Sequence, residues 1–235
     1  MKILNNTKKN KKIGLIVYAR RASKRFPDKV FAKINNKENL LESILNILKK
    51  SQFNKKIIIA TTSNKNDKKI INLCKTKKIY YFAGEHLNVF LRTQKCIKKF
   101  NLDYFARICA DRPFFNVTLM DKMINIILKK DYDIITNVHP RTYPKGLTCE
   151  VANTRIFKSI NAKKLNKENQ EHIFNYFYNR NKFRVLNIKK KFKKNFLKKN
   201  FCIDKKTDLK KIIKIKHYFK KNNLDLTIAN LEKYT

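Results

Sequence analysis

Three short stretches carry the residue types that phosphate chemistry needs. The first is Ala19-Arg20-Arg21-Ala22-Ser23-Lys24-Arg25-Phe26-Pro27-Asp28-Lys29, a turn with five cationic side chains. A triphosphate carries several negative charges, and such a loop can hold it through backbone N–H groups, forked arginine contacts and a lysine point charge. In a chain that is basic throughout, the same run also reads as a solvated face. The second stretch is Arg107-Ile108-Cys109-Ala110-Asp111-Arg112-Pro113, where a carboxylate follows an apolar run in a chain with few acids. An aspartate there serves as a turn or cap residue, or as a ligand for a divalent cation. The third is Phe201-Cys202-Ile203-Asp204. If its apolar residues form a short strand beside the one ending at Ile108, Asp111 and Asp204 can share one Mg²⁺. That ion takes one or two carboxylates and fills its octahedron with phosphate oxygens and water. Of the three glycines, Gly14 lies inside the first apolar run, while Gly84 and Gly146 follow strand-like segments. Glycine is needed where φ is positive or where a ligand approaches the main chain, so these two loops are candidates for substrate contact. A tight turn accounts for each equally well. His86, His139 and His217 fit no role.

The elements that must position these residues are legible as periodicity. Ile13 to Tyr18 is continuously apolar, as in a strand buried on both faces of a parallel sheet. Leu40, Leu41, Ile44, Leu45 and Leu48 share one helical face. Strands at Ile57–Ala60, Ile79–Phe82, Tyr104–Ile108 and Tyr132–Thr136 then alternate with helices at Lys68–Cys74, Val89–Phe100 and around Met120–Leu128. This order predicts an α/β doubly wound, mostly parallel sheet, whose carboxyl-end loops are where ligands bind. Beyond His139 the rhythm changes. We expect a turn at Pro140–Pro144, strands at Leu147–Ala152, Phe183–Ile188 and Phe201–Ile203, and helices at Thr154–Ile160, Glu168–Asn179 and Thr207–Phe219. Lys189–Lys199 reads as a basic linker or exposed hairpin anchored by Phe192 and Phe196. The whole chain, 1–235, is expected to be one domain with a basic N-terminal tail at 1–12 and an inserted dimerisation or lid region at about 139–199.

Composition narrows the class less than the motifs do. Of 235 residues, 43% are hydrophobic and 11% aromatic, enough for a packed core. The 57 Lys and Arg against 17 Asp and Glu leave a net charge of +40. Such a field concentrates any polyanion, whether nucleic acid, anionic lipid or nucleoside triphosphate. The lysines are scattered among Asn and Ile rather than gathered into one aromatic-interleaved patch, so compositional drift explains them better than a specific nucleic-acid surface. Five cysteines, Cys74, Cys96, Cys109, Cys149 and Cys202, show no C-x-x-C pair and read as reduced core residues. No apolar run reaches bilayer length and no signal peptide is recognisable, which leads us to expect a soluble cytoplasmic protein that does not engage membranes.

These pieces, in this order, resemble the cytidylyltransferase family that includes acylneuraminate and 3-deoxy-manno-octulosonate cytidylyltransferases, and especially its spore-coat-polysaccharide SpsF-like branch. The similarity runs from about Ile13 to Phe219. Ala19 to Lys29 looks like the family's A-R-x-G-S-x-R-L-P-x-K nucleotide loop, with Arg20, Ser23, Arg25, Pro27 and Lys29 in place. Further matches are Ala60-Thr61-Thr62, Gly84 through Val89 with Leu91-Arg92, Arg107-Ile108 with Asp111 and Pro113, Pro140-Arg141-Thr142-Tyr143-Pro144 with Gly146, and Glu150-Val151. Glu171-His172, and later Asp204 with Asp208, fall where the branch has its E-H and V-D-x-P-x-D elements.

The resemblance implies a Rossmann-like nucleotidyltransferase fold, a homodimer, and CTP or another nucleoside triphosphate as donor. It implies that Arg20 and Lys29 contact the triphosphate, with Ala19, Ser23 and Arg25 in the same loop, and that Asp111 and Asp204 hold Mg²⁺. Thr61, Thr62, Gly84, Arg107 and Gly146 are further candidates for substrate contact, and Arg141, Glu150 and His172 would lie toward a sugar or sugar-acid acceptor. An acceptor hydroxyl would attack the α-phosphorus and pyrophosphate would leave, an in-line displacement in which positioning and charge neutralisation supply most of the rate. His172 reads equally as a packed residue of an aromatic-rich helix. Two departures touch the phosphate path: Ala22 and Ala110 stand where the family usually has glycine. Two more, Asn88 and Thr148, replace usual acids. The expected activity is CMP transfer for surface-glycan assembly. A catalytically altered nucleotide-binding relative, a same-fold glycosyltransferase and, on charge alone, a nucleic-acid-binding protein are the alternatives.

Overall fold

The computed structural model describes residues 11–178 and 180–234, so the expected basic tail lies outside the described residues except for Lys11 and Lys12. Ile13–Tyr18 forms β1. Its side chains alternate between two cores, Leu15 and Val17 entering one and Ile16 the other, which is why every position of the run is apolar. There follow α1 (Leu40–Leu48), β2 (Ile57–Thr62), α2 (Lys68–Thr76), β3 (Tyr80–Gly84), α3 (Val89–Phe100), β4 (Tyr104–Cys109), α4 (Val117–Lys129), β5 (Ile134–Thr136) and β6 (Glu150–Asn153). The chain closes with α5 (Thr154–Lys158), α6 (Lys167–Glu171), α7 (Asn175–Tyr178), β7 (Val185–Asn187), α8 (Lys194–Leu197), α9 (Lys206–Lys221) and α10 (Ile228–Tyr234).

The strands form one sheet in the order β3-β2-β1-β4-β6-β5-β7. Only β6 runs against its neighbours, β4 and β5. α1, α2 and α4 cover one face, and α3, α5 and α7 the other, giving the doubly wound α/β architecture that the β-α rhythm predicts. Local signals explain the clean boundaries. Asn39 opens α1 by accepting from Glu42 N while the Glu42 side chain accepts from Asn39 N, a reciprocal capping box. The Asn88 side chain accepts from Leu91 N at the start of α3, and Asn101 ends that helix in a left-handed conformation. A third core joins Phe114, Tyr143, Leu147, Phe196 and Phe201 to α9 and α10, and packs Phe201 and Ile203 with side chains of the loops that follow β4 and β5.

The region 139–199 does not stand apart from the sheet, since β6 and β7 are strands of it. Several expectations for the second half need correction. β6 begins at Glu150 rather than Leu147, because the Asn137 side chain binds Leu147 O and Cys149 N and satisfies that backbone in place of a ladder. Phe201–Ile203 is not a strand. Its amides donate singly to Lys145 O (2.8 Å) and, from Ile203, to Asp111 O (2.9 Å), two different segments that cannot form a ladder. The helix expected at Glu168–Asn179 is two short helices, with His172 exposed between them rather than packed; Asn179 lies outside the described residues. The Lys189–Lys199 stretch forms no hairpin. It holds α8, anchored by the buried Phe196 in the third core. All five cysteines are free; Cys109 is only half-buried, at the end of β4. No helix among the described residues is long and apolar enough to cross a membrane.

Candidate active site

Parallel strands end together, so the loops leaving β1 and β4 begin side by side: Ala19 N donates to Ala60 O (3.3 Å) and Ala110 N to Tyr18 O (3.1 Å). Asp204 comes from far along the chain. The Ile203–Asp111 backbone bond sets the two aspartates next to each other, and Gly146 makes the approach possible. Its φ is +96°, and a Cβ there would lie 2.6 Å from Phe201 C and 2.9 Å from Cys202 N. The glycine requirement at 146 is therefore met by a neighbouring backbone. At Gly84, which ends β3, a Cβ would meet the Phe82 ring at 2.6 Å.

Lys29 ties the site together. Its Nζ stands 3.0 Å from Asp111 Oδ2 and 3.2 Å from Asp204 Oδ1, and donates to Ile203 O at 2.8 Å. Two more cations reach Asp204 Oδ2: Arg25 Nη2 at 3.1 Å and Lys145 Nζ at 3.2 Å. Asp208, in the first turn of α9, accepts from Asp204 N (2.9 Å) and Lys205 N (2.8 Å) and fixes the aspartate's backbone. Burial opposes charge on Lys29, but Asp111 and Asp204 outweigh it and raise the lysine's pKa. Burial likewise opposes charge on Asp204, and Lys29 and Lys145 outweigh it, so that its pKa falls below the usual carboxylate value.

The basic loop divides into a fixed part and a free part. Arg21 is structural: its N–H donates to Asp67 Oδ1 (2.8 Å), its guanidinium to Asn66 O (2.7 Å), and its fork grips Asp28. Asp67 also accepts from Thr62 Oγ1. Arg20 is partly exposed with a 3.7 Å contact to Glu171, and Arg25 is 63% exposed in its side chain. Ser23 is half-buried and Ala22 exposed, whereas Ala110 is buried beneath Asp111. Thr61 Oγ1 is buried without a partner among the described residues.

A second cluster lies across β4 and β6. Arg107 and Glu150 are register partners, paired at 2.7 Å. Tyr178 donates to the other Glu150 oxygen at 2.5 Å, and its hydroxyl lies 3.1 Å from Thr136 Oγ1. Burial, then Glu150, raises the Tyr178 pKa, so it stays a donor. His139 stacks on its ring, with centroids 4.8 Å apart. Arg141 is exposed, and no hydrogen bond or ion pair among the described residues joins Arg141 or His172 to Asp111 or Asp204. Sequence reasoning missed Lys145, Arg112 and Tyr178. Lys145 stood in plain view beside Gly146 in the matched Pro-Lys-Gly stretch. Arg112, which donates to Thr148 O and Oγ1, and Tyr178 are identified only by their tertiary partners.

Among the described residues no three His, Cys, Asp or Glu side chains cluster as a metal cage. The pair Asp111–Asp204 is the donor set at this site, and it suits an ion that takes one or two carboxylates and otherwise oxygen from phosphate and water. A family model described as Cytidylyltransferase matches residues 15–230. The chain belongs to the cytidylyltransferase family. Among its relatives are uncharacterized protein MJ1063 of Methanocaldococcus jannaschii, 30% identical over 92% of this chain and 87% of the relative. Another is the spore coat polysaccharide biosynthesis protein SpsF of Bacillus subtilis, 28% identical over 71% of this chain and 70% of that protein. The cytidylyltransferase fold is shared with a solved cytidylyltransferase from Leptospira borgpetersenii (TM-score 0.80, 22% identity, 91% of this chain and 96% of that one). It is shared also with a CMP:2-keto-3-deoxy-manno-octonic acid synthetase complexed with CTP (TM-score 0.63, 12% identity, 88% and 99% covered). The family resemblance read from the sequence is thereby borne out.

Proposed function

We propose that this cytidylyltransferase transfers CMP from CTP to a hydroxyl of a sugar or sugar acid, with Mg²⁺ and release of pyrophosphate, in the assembly of a surface polysaccharide. The observation that carries the reading is the convergence of Asp111 and Asp204 on a single cationic side chain, Lys29, at the end of the loop 19–29. Asp111 and Asp204 would hold the metal, which when bound neutralises charge on the reacting phosphates. Lys29, Arg20 and Arg25 supply the positive charge for the triphosphate, and backbone amides of the loop orient it. Arg141 and His172, exposed, are the side chains available to an acceptor. Glu150 is not a free base: both oxygens are engaged by Arg107 and Tyr178, so it stiffens the β4–β6 ladder. The likeness to SpsF, a spore coat polysaccharide biosynthesis protein, and to the CTP-bound synthetase supports a polysaccharide setting and CTP as donor. We infer a homodimer on the family resemblance.

A pyrophosphate-release screen of the four nucleoside triphosphates against acidic and neutral sugars, with and without Mg²⁺, tests this reading. Release is expected with CTP, Mg²⁺ and at least one acceptor; silence across the whole matrix overturns it. A second reading, a relative that binds nucleotide without turnover, is favoured by Ala110, buried where the family usually has glycine. Calorimetric CTP binding with no release for any acceptor selects it.

A further inference from the structure

The position between Asp111 and Asp204 is already filled by the chain itself. The Lys29 ammonium touches both carboxylates, is held at a third point by Ile203 O, and leaves only 13% of its side chain exposed. With Arg25 and Lys145 also on Asp204, three cationic side chains face two carboxylates, an excess of one positive charge. A divalent cation entering this group would have to displace the ammonium, and with Arg25 and Lys145 still on Asp204 it would raise the net charge of the group from +1 to +2. Like charges at these separations repel strongly in a partly desolvated setting. A triphosphate supplies the missing negative charge and a competing partner for the lysine.

We propose that Lys29 is a resident counter-cation that keeps the two aspartates closed to metal until a nucleoside triphosphate draws it away, so that metal and nucleotide enter the site only together. The inference rests on the metal role given above to Asp111 and Asp204. Its consequence is a coupling between two ligands through one side chain: each raises the affinity for the other by the same factor.

The test follows Mn²⁺ by electron paramagnetic resonance of the free ion, and by water-proton relaxation, which separates protein-bound Mn²⁺–CTP from the same complex in solution. Nucleotide-free wild type is expected to bind Mn²⁺ only weakly. Lys29→Met and, as a second neutral variant, Lys29→Gln are expected to bind Mn²⁺ without nucleotide at least about tenfold more tightly than wild type, a coupling of about 1.4 kcal/mol. Lys29→Arg should stay closed, and adding Asp111→Asn to Lys29→Met should abolish the gain. Thermal unfolding of each variant reports whether it is folded. If nucleotide-free wild type binds Mn²⁺ as tightly as the neutral variants, the inference is overturned. If wild type takes Mn²⁺–CTP but the neutral variants gain nothing, the inference falls and the metal reading stands. Absence of Mn²⁺ from every protein, with or without CTP, removes both.

Discussion

Glu150 and Asp204 are both acids gripped by basic side chains, yet what grips them differs in kind. Glu150 faces Arg107 because β4 and β6 place them as register partners, and Tyr178 closes the remaining oxygen. The sheet ladder holds the backbones of Glu150 and Arg107 opposite each other. Asp204 is held through a loop-to-loop bond, a glycine that admits a second backbone, and three long cationic side chains, two of them mostly exposed. Its partners can leave one at a time without disturbing a strand. A pair fixed by register stiffens the scaffold, whereas a pair fixed by loops can exchange partners with a ligand. On the function proposed above, the first belongs to stability and the second to chemistry.

That contrast can be broken by experiment. The largest effect is expected at Glu150. Glu150→Ala leaves Arg107 buried without its counter-ion and should cost about 3–5 kcal/mol in denaturant unfolding; a loss under about 1 kcal/mol would make the register pair dispensable. Asp111→Asn should do the reverse, lowering turnover by about 10²-fold or more, near 2.7 kcal/mol of barrier, while the unfolding midpoint hardly moves. Unchanged turnover in that variant refutes its metal role. Gly146→Ala bridges the two regions, because the positive φ and the approach of Phe201 and Cys202 both resist a side chain. A cost of about 1–3 kcal/mol is expected, with loss of activity as Asp204 is displaced; full activity at full stability would show that the 201–204 segment tolerates a shift. The smallest effect concerns pH. Asp204 has a depressed pKa in the folded protein, where Lys29 and Lys145 outweigh burial. The stability it contributes is complete above its unfolded value, roughly 4, and is lost as pH falls through the lower folded value. Asp204→Asn should therefore show a shallower loss of stability below about pH 4, and identical slopes for the two proteins would remove this linkage.

How far the molecule was legible before folding can be judged element by element. α3 matches its expected span, Val89–Phe100, because an asparagine cap, an amphipathic face and a left-handed Asn101 are all local signals. β1 was equally plain, since a six-residue run that is apolar throughout is short for a helix and suits a strand covered on both faces. β6 was misplaced at its start because a side chain, Asn137, does the work of a ladder, and no periodicity records that. α8 and the third core were missed because Phe196 and Phe201 find their burial against α9, far along the chain.

The same division runs through the site. From sequence alone came the two aspartates, the basic turn and the family, because residue type and order along the chain are local properties that survive without a structure. The packed chain alone decided that Lys29 stands between Asp111 and Asp204, that Arg21 is committed to Asp67 and Asp28, and that Glu150 is locked by Arg107 and Tyr178. Periodicity reports which face of an element is buried, but not against what. Which charges meet across loops is set by the distances of the folded whole, where a single glycine at 146 lets one backbone approach another.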